Sequence, residues 1–243
     1  MLDVEKELGK AVRAFWTTRD SQRDRQGLAS GHKDAGNRGA VTGGKHADGF
    51  VRLISAILRD AGLSGVSVEK HARTLPGYFR PSKEWDLVAV AGGDLVAVVE
   101  VKSQVGSFGN NFNNRVEEAL GNATDFWAAY AKGRFSDSAR PWLGYLFMLE
   151  ECTSSDRSTK RVSLQPFGVD DAFQGLSYGK RYEEACRRMV RERLYDAACF
   201  FTSSSETGLT GRFKQPAAEL SIRNFAISLH ARASAFARIG NAQ

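Results

Sequence analysis

The sequence predicts a mixed α/β domain, with a small central sheet, helices on its faces and further helices at both ends of the chain. Three observations predict it. Short apolar runs over 85–91 and 95–102 flank Gly92-Gly93-Asp94, a strong hairpin signal. Apolar residues at helical spacing precede and follow that hairpin, over 50–61 and 115–132. A further apolar run, Trp142–Leu149, comes after the second helix, so the core order is helix, three strands, helix, strand.

Each element has its own warrant. Val4, Leu8, Ala11 or Val12, and Phe15 recur at helical spacing, which predicts a helix over 4–25. Gly27–Gly49 holds seven glycines in 23 residues and can build little core. It reads as a linker or as a loop whose backbone packs close to a ligand. Asp48 is placed as the cap of a helix over Phe50–Ala61, with Phe50, Leu53, Ile54, Ile57 and Leu58 on one face. Val66–Lys70 alternates and is the first strand. Trp85–Ala91 and Leu95–Lys102 are the next two, and the latter stays apolar until Glu100, as a buried central strand does. A polar loop with Gly106, Gly109 and four asparagines leads into a helix over Arg115–Lys132. Beyond the Trp142–Leu149 strand, 152–161 is a surface loop. Gly179–Cys199 is a long helix with Tyr182, Cys186, Met189 and Val190 inward. Pro216 starts a last helix with Ala218, Ile222, Phe225, Leu229 and Phe236 on one side. No repeat or clear boundary divides the chain. Residues 1–243 are therefore read as one domain, made of an N-terminal helix (1–26), the glycine-rich loop (27–49), a core (50–150) and a helical C-terminal part (151–243).

Composition narrows the class. There are 34 Lys+Arg against 28 Asp+Glu, a formal net charge of +6, and 42% of residues are hydrophobic, as in a soluble globular protein. Of the basic residues 23 are Arg, the side chain best shaped for forked bonds to phosphate and guanine. That balance points to a polyanion partner, although many soluble proteins carry as much charge. The longest apolar runs are about five or six residues, such as Leu95–Val99, far short of the ~20 needed to span a bilayer. The N-terminus MLDVEKELGK is charged and lacks an apolar stretch, so a secretion signal is not expected and a cytoplasmic protein is. Cys152, Cys186 and Cys199 lie far apart and suggest neither a disulfide framework nor a zinc knuckle. The histidines show no HxH or HExxH spacing, and no phosphate-binding G-x-x-x-x-G-K-[ST] loop or nucleophile elbow occurs, so no nucleotide cofactor is expected.

The sharpest local feature is Asp86 followed by Glu100-Val101-Lys102, the only Asp/Glu-x-Lys triplet in the chain. A turn at 92–94 brings Asp86 beside Glu100. Strand alternation puts Glu100 and Lys102 on one face. Two half-buried carboxylates invite a hard divalent cation such as Mg²⁺, which keeps waters for substrate. Such an ion can bind a phosphate oxygen and lower the pKa of an attacking water. Lys102 beside it can orient that water or stabilise charge on the phosphorane. The alternative is a Glu100–Lys102 salt bridge at a strand end, with Asp86 solvated.

This order of elements, with Asp86 and Glu100-Val101-Lys102 on its strands, resembles the αβββαβ core of the PD-(D/E)xK nuclease superfamily. Trp85 stands where that signature has proline. GNRGAVTGG at 36–44, Asp48-Gly49-Phe50, EWDLVAV at 84–90, EVKSQVGSFGNNFNNR at 100–115 and RERLYDAACF at 191–200 resemble the type II restriction endonucleases of the XhoI family, over most of the chain. The resemblance implies a restriction-endonuclease-like core with a mixed sheet. It implies Mg²⁺-dependent cleavage of double-stranded DNA at the palindrome CTCGAG, leaving 5′ overhangs. It assigns Asp86 and Glu100 to the metal and Lys102 to catalysis, with Asp48 and Gln104 as accessory residues. A palindromic site also implies a two-fold homodimer.

A G·C-rich site calls for Arg or Lys forks to guanine, and for Asn or Gln on adenine. Asn110, Asn111, Asn113, Asn114 and Arg115 follow the catalytic strand and are the expected base contacts, although Asn and Gly also simply favour turns. Lys33, Arg38 and Lys45 stand in the glycine-rich loop, on a backbone able to hug phosphates. The arginines of 187–193 either contact phosphate or pair with Glu183, Glu184 and Glu192 on a solvated face. Two other functions fit the residues. One is a structure-specific or repair nuclease on the same core, and the other is a non-catalytic DNA-binding protein.

Overall fold

Helix α1 (Val4–Ser30) starts where the spacing predicts and continues past residue 25. Its stripe of Leu8, Ala11, Val12, Phe15 and Trp16 is buried. The computed structural model describes residues 2–30, 45–63, 66–67, 73–136 and 138–240. The expectations for 31–44, Lys33 and Arg38 among them, lie outside the described residues, as do those for 68–70. Lys45 opens a 3-10 turn, Lys45–Ala47, that feeds α2 (Asp48–Asp60). Asp48 is not the helix cap. Ala47 holds that position in helical backbone, and Asp48 is the exposed first helical residue. Its charge there still complements the helix dipole.

The strands are β1 (Val66–Ser67), β2 (Thr74–Pro76), β3 (Ser82–Glu84), β4 (Leu87–Ala91) and β5 (Asp94–Gln104). β2 and β3 form a separate two-stranded hairpin that the sequence does not signal. Apart from Leu75, their residues are polar or exposed, and the pair is too short to show the apolar alternation of a half-buried strand. The β4–β5 turn falls where expected but spans Gly92-Gly93 and not 92–94, and a register shift between Ala89 and Val90 restores the expected pairing from Ala89 down to Leu87. Ala91 pairs with Asp94 across Gly92 and Gly93, whose φ values of 59° and 92° are readily reached only by glycine.

Helix α3 (Phe108–Ala131) begins well before Arg115. Asn110 to Asn114 are therefore in its first turns and not in a loop. Asparagine is a weak helix former, but two aromatic anchors override it. Phe108 stacks on Tyr178 at 6.2 Å, and Phe112 meets Tyr182 edge-on at 5.0 Å. β6 (Trp142–Glu150) follows, and then a single turn, α4 (Thr153–Asp156), inside the expected loop.

The C-terminal region departs most from expectation. Helix α5 (Tyr178–Arg191) ends early, Arg193 adopts a φ of 58°, and Ala197–Ser203 forms β7. Cys199 is thus in a strand. A five-residue apolar run such as 197–201 suits a buried strand or a buried helix equally well, so periodicity cannot separate them. After a one-turn helix, α6 (Ser205–Gly208), Pro216 leads into a 3-10 turn over Ala218–Leu220. The last helix, α7, is Ile222–Gly240. Ala218 is exposed, whereas Ile222, Phe225 and Leu229 are buried as expected.

The main sheet has the order β1-β4-β5-β6-β7. β1 and β5 run antiparallel to β4, and β6 and β7 continue parallel to β5. Alternation along the strands sends Ala97, Val99 and Val101 into a core shared with α1, α2 and α7. Val98, Phe147 and Phe200 enter a second core with α3 and α5. The protein is thus a mixed α/β structure with helices on both faces of a mixed sheet. No helix among the described residues is long and apolar enough to cross a membrane.

Candidate active site

Leu87 pairs with Val99 and Val88 with Val98, so the next step outward sets Asp86 beside Glu100, as the turn spacing predicts. Asp86 lies just before β4. Its Oδ2 accepts the Val101 N–H at 2.7 Å, which extends the ladder by one side-chain bond. Its main-chain carbonyl accepts Arg73 Nη1 at 3.0 Å, and Arg73 Nη2 also pairs with Glu84.

Glu100 and Lys102 point to the α3 side of β5. Glu100 is only 1% exposed. A buried carboxylate costs several kcal/mol unless it is paired. Here Lys102 Nζ lies 2.5 Å from Oε1 and Lys83 Nζ 3.1 Å from Oε2. Asn122 of α3 adds a long bond to Oε1 at 3.4 Å. Burial pushes the Asp86 carboxyl up to about 6, and repulsion from Glu100 adds to this. The Val101 N–H, Lys102 and Lys83 oppose the rise. Burial alone would lower the Lys102 ammonium, but its contact with Glu100 and the nearby Asp86 outweigh it and raise the pKa. Lys102 therefore stays charged.

The cluster opens into a cleft of about 700 Å³ at the C-terminal end of β5. Asp86, Lys102 and Gln104 line its floor, with Asn111 and Arg115 from α3 on one side. Arg19 of α1, His46 and Phe50 line the other. The crevice beyond strand C-termini is where open α/β sheets take their ligands. Ser107, at the entry to α3, holds a left-handed φ of 48°, which a non-glycine residue rarely adopts.

The structure sorts the sequence-predicted residues. Asp86, Glu100, Lys102 and Gln104 come together. Gln104 is buried, and its Nε2 donates to the Gly106 carbonyl. Asn111 and Arg115 face the cleft, where Asn111 Nδ2 donates to Ser107 O and Arg115 pairs with Glu118. Asn110, Asn113 and Asn114 are exposed on α3, and Asn113 turns to a groove shared with α5. Asp48 is exposed and does not line the cleft. Of Lys45 the structure describes the backbone, at the start of the turn that carries His46. Arg187 and Arg188 follow the paired reading, since Arg187 binds Glu183, Glu184 and Glu219 while Arg188 binds Glu184 and Asp170.

Sequence reasoning missed Lys83, Asn122, Arg19 and His46. One signal was legible. Asn122 and Asp125 fall on the same side of α3 as the buried Ala119, Ala123, Phe126 and Ala129, and polar groups on an apolar stripe need partners. His46 has its pKa lowered by burial and by Arg19, against Asp48.

The residues present suit a hard divalent cation. Burial raises the Asp86 carboxyl to about 6 and the neighbouring Glu100 carboxylate adds to the rise, a repulsion that a cation between them would relieve. Among the described residues no group of three or more His, Cys, Asp or Glu converges. Two carboxylates are what a hard divalent cation such as Mg²⁺ uses while keeping several waters.

The family model for restriction endonuclease XhoI matches residues 26–215. Over 208 residues the chain is 49% identical to the type II restriction enzyme BstVI of Geobacillus stearothermophilus, covering 83% of this chain and 92% of that one. It is 43% identical over 183 residues to the type II restriction enzyme XhoI of Xanthomonas vasicola, covering 74% and 72%. It is 46% identical over 169 residues to the type II restriction enzyme AbrI of Azospirillum brasilense, covering 68% and 74%. No solved structure matches the chain. Similarity of this extent, spanning the Asp86–Lys102 cluster, shows that the chain belongs to the XhoI family of type II restriction endonucleases.

Proposed function

We propose that this chain is a Mg²⁺-dependent, homodimeric nuclease that hydrolyses double-stranded DNA at the palindrome CTCGAG and leaves 5′ overhangs. The observation that carries the reading is that Asp86 and Lys102 line an open cleft, with the buried Glu100 directly behind them in contact with Lys102. The whole chain, 1–243, acts as one endonuclease domain with a restriction-endonuclease-like core, working on DNA in the cytoplasm. The palindrome and its overhang rest on the resemblance to the XhoI family, and the two-fold site motivates the dimer.

Asp86 and Glu100 hold the cation, which when bound supplies Lewis acidity toward a phosphate oxygen. Lys102 is the catalytic lysine. Its ammonium is fixed against Glu100 and its side chain is 26% exposed, so it can both donate to an attacking water and meet charge growing on phosphorus. Gln104 continues the same strand face as an accessory group. Arg115 and Asn111 reach bases or phosphates from the cleft wall, and Asn110, Asn113 and Asn114 extend that surface along α3. Lys33, Arg38 and Lys45 bind phosphates from the glycine-rich segment, and Asp48 is the remaining accessory acid.

The test is incubation of purified protein with Mg²⁺ and a plasmid bearing one CTCGAG site, followed by sequencing of the ends. Discrete ends at that site support the reading. Scattered ends indicate a nuclease without fixed sequence, and intact plasmid with retained binding indicates a non-catalytic DNA-binding protein. Lys102→Ala and Asp86→Ala should abolish cutting and keep most of the binding. Cutting by either variant refutes the residue assignment.

A further inference from the structure

We propose that Lys83 is a positioning residue of this site. It fills the cation place beside Glu100 in the metal-free protein and gives that place up when a divalent cation is bound. The inference rests on the metal-site reading above.

Glu100 has two ammonium partners, one more than its charge requires. Lys102 stands two residues along the same strand. Lys83 comes from the β2–β3 hairpin, outside the main sheet, and its side chain is 14% exposed. The two contacts are divided unequally over the carboxylate. Lys102 Nζ is 2.5 Å from Glu100 Oε1, and Lys83 Nζ also donates to that oxygen at 3.2 Å. Glu100 Oε2 is buried and takes no directed hydrogen bond, and Lys83 Nζ lies 3.1 Å from it. An oxygen held in that way is open to exchange of one cation for another.

Lys83 also has a second seat. Its ammonium lies over the Trp85 ring at 4.6 Å and donates to the Glu84 carbonyl at 3.2 Å. Neither partner is Glu100, so both stay within reach of an ammonium that leaves it. The hairpin is registered on the site, because Arg73 at its start donates to the Asp86 carbonyl. The charges then balance. Asp86 and Glu100 against Lys83 and Lys102 sum to zero, so the metal-free cluster has no strong pull on phosphate. With a divalent cation bound and Lys83 moved aside, the same cluster is positive at the moment when DNA is to be held.

Mn²⁺ is a suitable probe, as a hard cation taking carboxylate and water ligands. It is titrated into the DNA-free full-length protein, with the free ion followed by electron paramagnetic resonance. A like charge 4–6 Å away shifts an ionic equilibrium by one or more powers of ten, so Lys83→Gln should bind Mn²⁺ about tenfold more tightly than wild type. Lys83→Arg should bind as wild type does, and Glu100→Gln should lose binding. If Glu100→Gln loses binding while Lys83→Gln binds no tighter than wild type, the Lys83 inference is overturned and the metal site stands. If Glu100→Gln binds as wild type does, the metal site itself is refuted and the inference falls with it. Lys83→Met, which keeps the stem on Trp85, is the second variant. If neither it nor Lys83→Gln unfolds cooperatively in the absence of metal, Lys83 is a structural counter-ion of Glu100 and the inference is overturned.

Discussion

Replacing Asp125 should destabilise the protein and weaken cleavage, although Asp125 lines no part of the cleft. Asp125 is buried on α3, and its carboxylate grips the tip of the β2–β3 hairpin. Oδ1 accepts the N–H groups of Tyr78 at 2.8 Å and Phe79 at 2.7 Å, and Oδ2 accepts Arg80 Nε at 2.8 Å. Arg80 Nη2 reaches on to Asn122 at 2.9 Å, and Asn122 also touches Glu100. Bonds to a charged group contribute about 1.5–3 kcal/mol each when buried. Tyr78 and Phe79 are 44% and 71% exposed. Water can therefore re-solvate their freed N–H groups, and the low end of the range applies. Asp125→Ala should cost about 4–5 kcal/mol and Asp125→Asn, which keeps one acceptor oxygen, about half of that.

Burial would raise the Asp125 carboxyl, but the N–H groups of Phe79 and Tyr78 and the Arg80 guanidinium outweigh it and hold it below the ordinary value of 3.8. A depressed carboxyl contributes stability that is fully present above the ordinary value and is lost as pH falls through the folded one. The gap between wild type and Asp125→Asn should therefore be constant from about pH 7 to 5 and close below about pH 3.8. Urea denaturation followed by tryptophan fluorescence across that range reads both features. A loss under 1 kcal/mol for Asp125→Ala at neutral pH, or a gap that widens on acidification, would refute the clamp. Because Arg73 at the start of the same hairpin holds the Asp86 carbonyl, cleavage should fall in parallel.

Three other outcomes follow from particular contacts. In EDTA, Asp86→Asn should be more stable than wild type. Ionised Asp86, pushed from 3.8 up to about 6, costs the fold about 3 kcal/mol at 1.36 kcal/mol per pH unit, so a gain of about 1–3 kcal/mol is expected above pH 6. The gain should vanish by about pH 4, where wild type is also protonated, and no gain in a thermal melt at pH 7.5 would contradict the strain. Gly144→Ala places a Cβ into the Trp142 ring and 3.0 Å from Phe225 in a central strand. Overpacking of this kind costs about 1–3 kcal/mol or more, and an unchanged melting temperature would contradict the packing. Arg115→Ala should reduce the salt slope of DNA binding by about one, whereas Arg187→Ala, whose charge is spent on three carboxylates, should lower stability and leave that slope unchanged.

How far the chain could be read depended on the range of the interactions. α1, α2, β4, β5 and β6 were legible because each repeats apolar residues at its own period over enough length. The hairpin β2–β3 was not, because it buries little and is fastened to α3 by Asp125, 45 residues from Arg80 in sequence. β7 was read as the end of a helix because Ala197–Phe201 carries no periodic signal. Its partner β6 is what makes it a strand. The start of α3 was missed because Phe108 and Phe112 dock on α5 and override the asparagines between them.

By itself the sequence determined that β4 and β5 form a hairpin about Gly92-Gly93, which brings Asp86 to within one residue of Glu100 and puts Glu100 and Lys102 on one face. The pairing itself is completed by the register shift between Ala89 and Val90, which no sequence signal marks. Only the tertiary structure decided how the buried charge of Glu100 is met. Lys83 and Asn122 arrive from a separate hairpin and a helix, 17 and 22 residues away along the chain. Spacing acts through local backbone geometry and reaches only neighbours on one element. Desolvation and charge pairing act through space, so they exist only once the hairpin, the sheet and α3 have packed together.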